Sequence, residues 1–460
     1  MRSTQLLTTA SEDQPNATHQ SLARAAIYEI FGPPQLRPFA IELWDGSYEG
    51  PVDRPPLFTL TIHRPGALRR MFMPPSALAL AEAYVRGDFD VAGDLSRATG
   101  LTDQIRPLLS APARLARLIM CLRQLPTDDL PDNLGEGGGF RYRGRPHSRR
   151  RDRAAIRHHY DLGNDFYALW LDRRMVYSCA YFPTGGESLD AAQEAKLDLI
   201  CRKLRLRPGE RLLDIGCGWG GLIRYAAEQY GVTAVGITLS RAQADLARQH
   251  LATAGLTTRC SVEICDYRDL PQSARFDKIA SIGMFEHVGR AKLTAYFKAV
   301  YRHLRPGGLF LNHGIVLASP QAHGPLAWAR AQLWQDDAFI QRYIFPDGEL
   351  ISSGDAISCA EEIGFEPRDM ESLREHYQLT LEQWLRRLDE RRDEAVALVG
   401  ERTYRAWRLY LAASAWRFQS GRIGLAQILL ARQSRSGQVD LPRTRADLYA
   451  EQLVERAVGA

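Results

Sequence analysis

The residues whose types and spacing best suit chemistry lie in Arg211-Leu-Leu-Asp-Ile-Gly-Cys-Gly-Trp-Gly-Gly221. An apolar run there ends in Asp214 and passes into a turn built from Gly216, Gly218, Gly220 and Gly221. Glycines let a backbone adopt φ > 0 and approach a ligand without a side-chain clash, so such a turn suits a nucleotide-like cofactor at the start of a helix. Gly216, Gly218 and Gly221 also satisfy the G-x-G-x-x-G spacing of dinucleotide sites, and a turn serving only strand–helix packing would use the same residues. A dinucleotide site calls for an acidic residue about 20 positions on for the ribose hydroxyls. The next strand instead ends Gly236-Ile-Thr-Leu-Ser240, which leaves Thr238 and Gln243 as the polar candidates for a nucleoside.

The elements that must position this turn can be read from hydrophobic patterning. Glu210–Ile215, Val232–Ile237, Ser261–Ile264, Lys278–Ile282 and Leu309–His313 read as short buried strands, with helices predicted over Leu222–Tyr230 and Arg241–Ala254. Strands alternating with helices of 10–15 residues predict an α/β fold, a mostly parallel sheet covered on both faces. The stretch Leu381–Ala431, rich in Trp and Arg, reads as largely helical. Ahead of this region, residues 1–20 read as a disordered tail. Residues 21–125 read as a smaller α/β domain with a strand at Leu57–His63 and helices at Pro75–Arg86 and Ala111–Leu125. Residues 126–150, with Gly137-Gly-Gly139 and then a burst of arginines, read as a linker, and residues 151–460 as the catalytic domain.

Composition narrows the class. With 45% hydrophobic and 25% charged residues and a formal charge of +5, the chain is an ordinary globular protein, neither disordered, collagen-like nor coiled-coil. No run reaches the roughly 18 apolar residues of a membrane span, and the start MRSTQLLTTASEDQPN lacks the apolar core of a secretory signal. The seven cysteines contain no C-x-x-C pair, so reduced thiols in a cytoplasmic protein are expected rather than a disulfide framework or zinc ribbon. His158 and His159 have no third ligand at suitable spacing, so no metal is expected. Of 59 basic residues 54 are arginine, which pairs with phosphate in a bidentate way that lysine cannot.

Asp214-Ile-Gly-Cys-Gly-Trp-Gly-Gly221 resembles the first motif of S-adenosylmethionine (SAM) methyltransferases, which favours SAM over NAD(P). Further segments extend the resemblance: His158-His-Tyr-Asp-Leu-Gly-Asn-Asp-Phe-Tyr167, Tyr177-Ser-Cys-Ala-Tyr-Phe182, Ser281-Ile-Gly-Met-Phe-Glu-His-Val-Gly289, Asn312-His-Gly-Ile315, Tyr343-Ile-Phe-Pro-Asp-Gly348 and His376-Tyr-Gln-Leu-Thr-Leu381. In this order they resemble the cyclopropane-fatty-acyl-phospholipid synthases and mycolic acid cyclopropane synthases over essentially all of 151–431. A weaker likeness in Ala81–Asp90 points to the longer, phospholipid-acting members.

The resemblance implies a Rossmann-like SAM-dependent methyltransferase domain with a helical lid. It implies transfer of the SAM methyl carbon to a cis double bond of a phospholipid acyl chain, followed by closure of a three-membered ring. It also implies a bound bicarbonate as base, held by Cys179 (backbone), Glu286, His313, Ile315 (backbone) and Tyr377. SAM contacts are expected from Tyr177, Ser178, Gly216, Gly218, Thr238, Leu239, Gln243 and Tyr267, with Asp214 supporting the turn. Some relatives that leave a methyl branch carry Glu where this chain has Gly283, so glycine there favours the ring. Methyl or methylene transfer without ring closure is the alternative, and a lipid-binding protein that has lost catalysis is a rival from another class.

Other features divide between plain and functional uses. Trp407, Tyr410, Trp416 and Phe418 fit a core stripe at least as well as an acyl channel. Arg141–Arg157 holds eight arginines and one acid, and fits either a solvated linker or a surface for anionic lipid at the inner face of the membrane. Ala111–Leu125 is basic and amphipathic enough to lie on lipid. Nothing indicates nucleic acid as a partner, and a homodimer held by residues 21–125 is expected by analogy with longer relatives.

Overall fold

The computed structural model describes residues 13–127, 144, 147–160, 162–318 and 337–448. They divide into two compact units. Residues 13–127, 337–344 and 399–416 form the first, and residues 144, 147–160, 162–318, 345–398 and 417–448 the second. The stretch expected as one catalytic domain over 151–460 therefore gives two of its segments to the first unit. Most of the expected linker lies outside the described residues.

The first unit is a four-stranded sheet in the order β2-β1-β3-β4, made of β1 (Ala40–Glu42), β2 (Tyr48–Glu49), β3 (Phe58–Ile62) and β4 (Phe89–Gly93). Helix α1 (Asp13–Phe31) begins inside the segment expected to be a disordered tail, because Ala23, Ala26, Ile27 and Ile30 recur at helical spacing and are all buried. Helix α2 (Pro112–Arg123) packs against it. Leu118 and Leu122 of α2 are fully buried, while Arg117 donates to Glu29 at 2.6 Å. The apolar face expected to lie on lipid is thus spent on the core of this unit. In the same unit the Arg405 guanidinium stacks 4.2 Å over Tyr84 and donates to Asp90, and Trp407 and Tyr410 are core residues.

The second unit is built on an eight-stranded sheet. β5 (Arg211–Ile215), β6 (Thr233–Thr238), β7 (Cys260–Ile264), β8 (Phe276–Ile282) and β9 (Leu304–Leu317) are mutually parallel where they pair, in the order β9-β8-β5-β6-β7. β10 (Ile351–Ser352) adds to β9, and β11 (Phe365–Ser372) and β12 (Ile423–Arg432) complete the sheet beyond it. Apolar residues line both faces of β5, β8 and β9, as a sheet covered by helices on both sides requires. Helices α3 (Arg149–Tyr160), α4 (Leu189–Lys203), α5 (Gly221–Tyr230), α6 (Arg241–Thr253) and α7 (Arg374–Glu390) belong to this unit. The fold is the α/β class expected from the strand–helix alternation, in the Rossmann-like form that the resemblance implies.

One element differs. Ile423–Arg432, expected to be helical, is β12, inserted antiparallel between β9 and β11. Every residue from Ile423 to Ala431 is buried, so the strand has no polar face and its Leu, Ala and Gln content mimics a core helix.

Candidate functional site

β5 delivers Asp214 to its C-terminal end and then breaks into the glycine turn, where Gly216 and Gly218 both hold left-handed φ angles of 83° and 54°. A Cβ on Gly216 would stand 3.0 Å from Met284, so the close approach needs glycine as well as the backbone angle. Asp214 is buried, and burial pushes its carboxyl up to about 7; its Oδ1 has no hydrogen-bond partner among the described residues.

A cleft of about 800 Å³, counting the space open to solvent, runs along the carboxyl ends of β5 and β6. Open α/β sheets bind ligands in this position. Of the expected SAM contacts, Gly216, Gly218, Thr238, Leu239, Gln243 and Tyr267 line it. Thr238 donates to Gln243 Oε1 at 2.8 Å, so these two side chains hold each other at the end of β6. Tyr267 sits edge-on to Tyr296 with the Arg268 guanidinium 5.5 Å from its ring.

Tyr177 and Ser178 do not line the cleft. Tyr177 belongs to an aromatic cluster, its ring stacked 5.6 Å from His159 and tilted against Trp384 at 5.2 Å. Ser178 is next to the cleft, since its Cβ lies 3.8 Å from where a Cβ on Gly283 would stand, and Gly283 is a lining residue. The buried Lys196 ammonium donates to Ser178 Oγ at 2.8 Å, and burial lowers it to about 8.

The five residues expected around a small anion are brought together by a chain of contacts. Cys179 is fully buried, and its thiol donates to Ala180 O at 3.2 Å and Leu373 O at 3.8 Å. The Tyr377 N–H donates to the same Leu373 carbonyl, and Leu373 N–H donates to Leu425 O at 2.9 Å. Leu425 pairs with Ile315 across β12 and β9, and His313 lies two residues earlier on β9. Ile315 N–H, expected to face the ligand, donates instead to Glu286 Oε1 at 2.7 Å.

Glu286 sits in the single helical turn Phe285–His287 after β8, and burial pushes its carboxyl up to about 7. His313 is 1% exposed, and burial together with the nearby Lys196 and Lys203 charges holds its imidazole neutral, far below the usual histidine range. Glu286 Oε2 and His313 Nε2 are both buried without a hydrogen-bond partner among the described residues. Unsatisfied polar atoms at this depth are costly, and a small oxyanion with both donor and acceptor capacity is the kind of ligand that would satisfy them. The Tyr377 ring packs 4.6 Å from Phe418 and 6.1 Å from Trp384.

Sequence reasoning missed several residues here. Asp152, Ile156 and Tyr160 on one face of α3 line the cleft, as do Asp266 and Arg268. Arg268 donates to Asp152 at 2.9 Å and to Asp266. The adjacent, outward face of α3 carries the exposed Arg149, Arg150, Arg153 and Arg157, which with Asp269 edge a surface depression. The helical spacing of the arginines at 149, 153 and 157 could have revealed this two-faced helix. His159 is buried against Tyr177 and Phe345.

Comparison with known proteins identifies a family. Residues 147–428 match the family described as mycolic acid cyclopropane synthetase, and residues 27–99 match a domain of unknown function. A "probable fatty acid methyltransferase" of Pseudomonas putida is 41% identical over 423 residues, covering 91% of this chain and 98% of that protein. The cyclopropane-fatty-acyl-phospholipid synthase of Escherichia coli (strain K12) is 39% identical over 279 residues, 61% of this chain and 68% of that one. Among solved structures, the mycolic acid cyclopropane synthase CmaA1 complexed with SAH and CTAB is 36% identical with a TM-score of 0.56, covering 60% of this chain and 97% of that one.

Proposed function

The chain belongs to the mycolic acid cyclopropane synthetase family of SAM-dependent methyltransferases, and from that premise we propose that it builds cyclopropane rings on cis-unsaturated phospholipid acyl chains with bicarbonate as the base. The observation that carries the reading is the pair of buried, unpartnered atoms Glu286 Oε2 and His313 Nε2 at the carboxyl end of the sheet. SAM, when bound, supplies the methyl electrophile, and bicarbonate the site that accepts a proton from the new methyl group.

An alkene is a weak nucleophile, so it must be held in line with the sulfonium in a dry site. As the new C–C bond forms and the C–S bond breaks, positive charge develops on the second alkene carbon. Ring closure then forms a bond to that carbon while the added methyl loses one proton. The aromatic cluster of Tyr177, Trp384 and Tyr377 offers ring faces to this charge and excludes water from it. Gly216, Gly218, Thr238 and Gln243 would hold the nucleoside, and Ser178, fixed by Lys196, the amino-acid end of SAM. Ile315 acts through its N–H on Glu286, setting the carboxyl so that Oε2 faces the anion. A carboxyl raised to about 7 can carry a proton beside an anion that a fully ionised one would repel.

The exposed arginine side of α3 supports docking on anionic lipid at the inner face of the cytoplasmic membrane, so that acyl chains reach the cleft from the bilayer. No described helix is long and apolar enough to cross a membrane. All seven cysteines are free, in keeping with a reducing compartment. The expected assembly is a homodimer through residues 21–125, which sedimentation of the full chain measures.

A second reading is favoured by one observation: the Pseudomonas putida relative, matched over nearly its whole length, is named a fatty acid methyltransferase. In that reading the methyl or methylene group remains as a branch. Incubation with SAM and vesicles of cis-monounsaturated phospholipid tests both. A lipid heavier by one methylene and resistant to mild hydrogenation supports ring formation, and a product that takes up hydrogen supports the branch.

A further inference from the structure

His313 stands opposite Gln427 across β9 and β12, and Gln427 stands opposite Glu371 across β12 and β11. The three side chains therefore form one row on one face of the sheet. Lys203, fully buried at the end of α4, enters this row. Its Nζ donates to Gln427 Oε1 at 2.8 Å, pairs with Glu371 and lies 3.6 Å from Asp369.

An ammonium has donors only, so the Gln427 amide must present its oxygen to Lys203. The amide nitrogen then faces His313 Nδ1 at 3.1 Å. Because that nitrogen can only donate, Nδ1 must be the accepting atom, and a neutral imidazole so bonded carries its proton on Nε2. Burial holds the ring neutral, and Nε2 is the atom without a protein partner.

We infer that Lys203 and Gln427 are positioning residues that lock His313 in the Nε2–H tautomer, so that it meets a bound oxyanion as a hydrogen-bond donor and not as a base. The inference deepens the bicarbonate reading above and rests on it for the identity of the anion. With His313 donating through Nε2, the proton released in ring closure is taken up by the bicarbonate oxygens and not by His313.

The test is nitrogen NMR of the full chain with selectively labelled histidine, His313 being assigned by its loss in His313→Gln. The wild type should show His313 protonated on Nε2 alone. Gln427→Glu places only an acceptor at Nδ1 and should move a proton there. Lys203→Met frees the amide to turn over and should give a mixture of tautomers. Turnover of both variants should fall about ten- to hundred-fold with SAM affinity unchanged, the size expected on removing an outer partner that orients a histidine. A wild-type proton on Nδ1 overturns the inference even where neither variant folds, as does an Nε2–H tautomer that persists in both variants. If wild-type turnover is independent of added bicarbonate while the tautomer follows Gln427, the anion reading falls and the lock stands.

Discussion

Ile315 donates its backbone N–H to Glu286 Oε1 at 2.7 Å, tying strand β9 to the helical turn that follows β8. The bond occupies Oε1 and leaves Oε2 without a hydrogen-bond partner among the described residues. Glu286→Gln keeps the acceptor for Ile315 but replaces a titrating carboxyl with an amide. Turnover should drop by about 10²–10⁴-fold, the usual contribution of a group that handles a proton, while SAM binding by calorimetry stays within error of wild type. Unchanged turnover would remove Glu286 from the chemistry.

The same residue makes a prediction about stability. Burial raises Glu286 from 4.5 to about 7, so the folded state holds a proton that the unfolded state releases between those values. Its contribution is fully present below about pH 4.5 and is lost as pH rises through about 7. His287, lowered by burial to about 4, acts in the opposite direction. The comparison is therefore the difference in Tm between wild type and Glu286→Gln without ligands. Wild type should lose about 3 kcal/mol relative to the variant over that window and no more above it. A pH-independent difference would mean that the carboxyl is not perturbed.

Gly216 tests the glycine turn. Gly216→Ala must hold φ near +83° and push its Cβ against Met284. The backbone penalty of about 1–2 kcal/mol should appear as lost stability, while the added Cβ, by displacing the cleft-lining Met284, should weaken SAM binding in titration calorimetry. Wild-type affinity in a folded variant would show that the turn does not shape the cofactor site.

Arg149, Arg150, Arg153 and Arg157 are exposed on α3, and among the described residues only Arg149 has its charge matched at close range, by Asp269 at 2.9 Å. Each basic residue near an anionic surface contributes about 1 kcal/mol. Changing all four to Gln should lower partitioning onto anionic vesicles about a hundred-fold, with strong salt dependence in the wild type only. Equal binding by both proteins in vesicle sedimentation would place the lipid surface elsewhere.

Much of the site was legible in the sequence because its parts are local. The glycine turn follows directly on the strand leading into it, and the six expected cleft residues from Gly216 to Tyr267 all fall at, or within five residues after, the carboxyl ends of β5, β6 and β7, where periodicity and motif coincide. What was not legible depends on pairing at long range. Gln427 reads as one more helix-former in Leu425-Ala-Gln-Ile-Leu-Leu430, and only its place opposite His313 in a strand buried on both faces gives it a role. Lys203 likewise belongs to no motif, and its burial against Gln427 and Glu371 follows from how α4 meets the sheet. Helix α1 was missed because its first turns are polar and its apolar repeat begins only at Ala23.

The central claim is that the transferred methyl group loses a proton as the ring closes. It is tested most directly by mass analysis of lipids after incubation with trideuteromethyl SAM and cis-monounsaturated phospholipid vesicles. The account predicts a product that resists mild hydrogenation and retains two of the three deuterium atoms. A product that retains all three would contradict it and assign the protein to methyl transfer without ring closure.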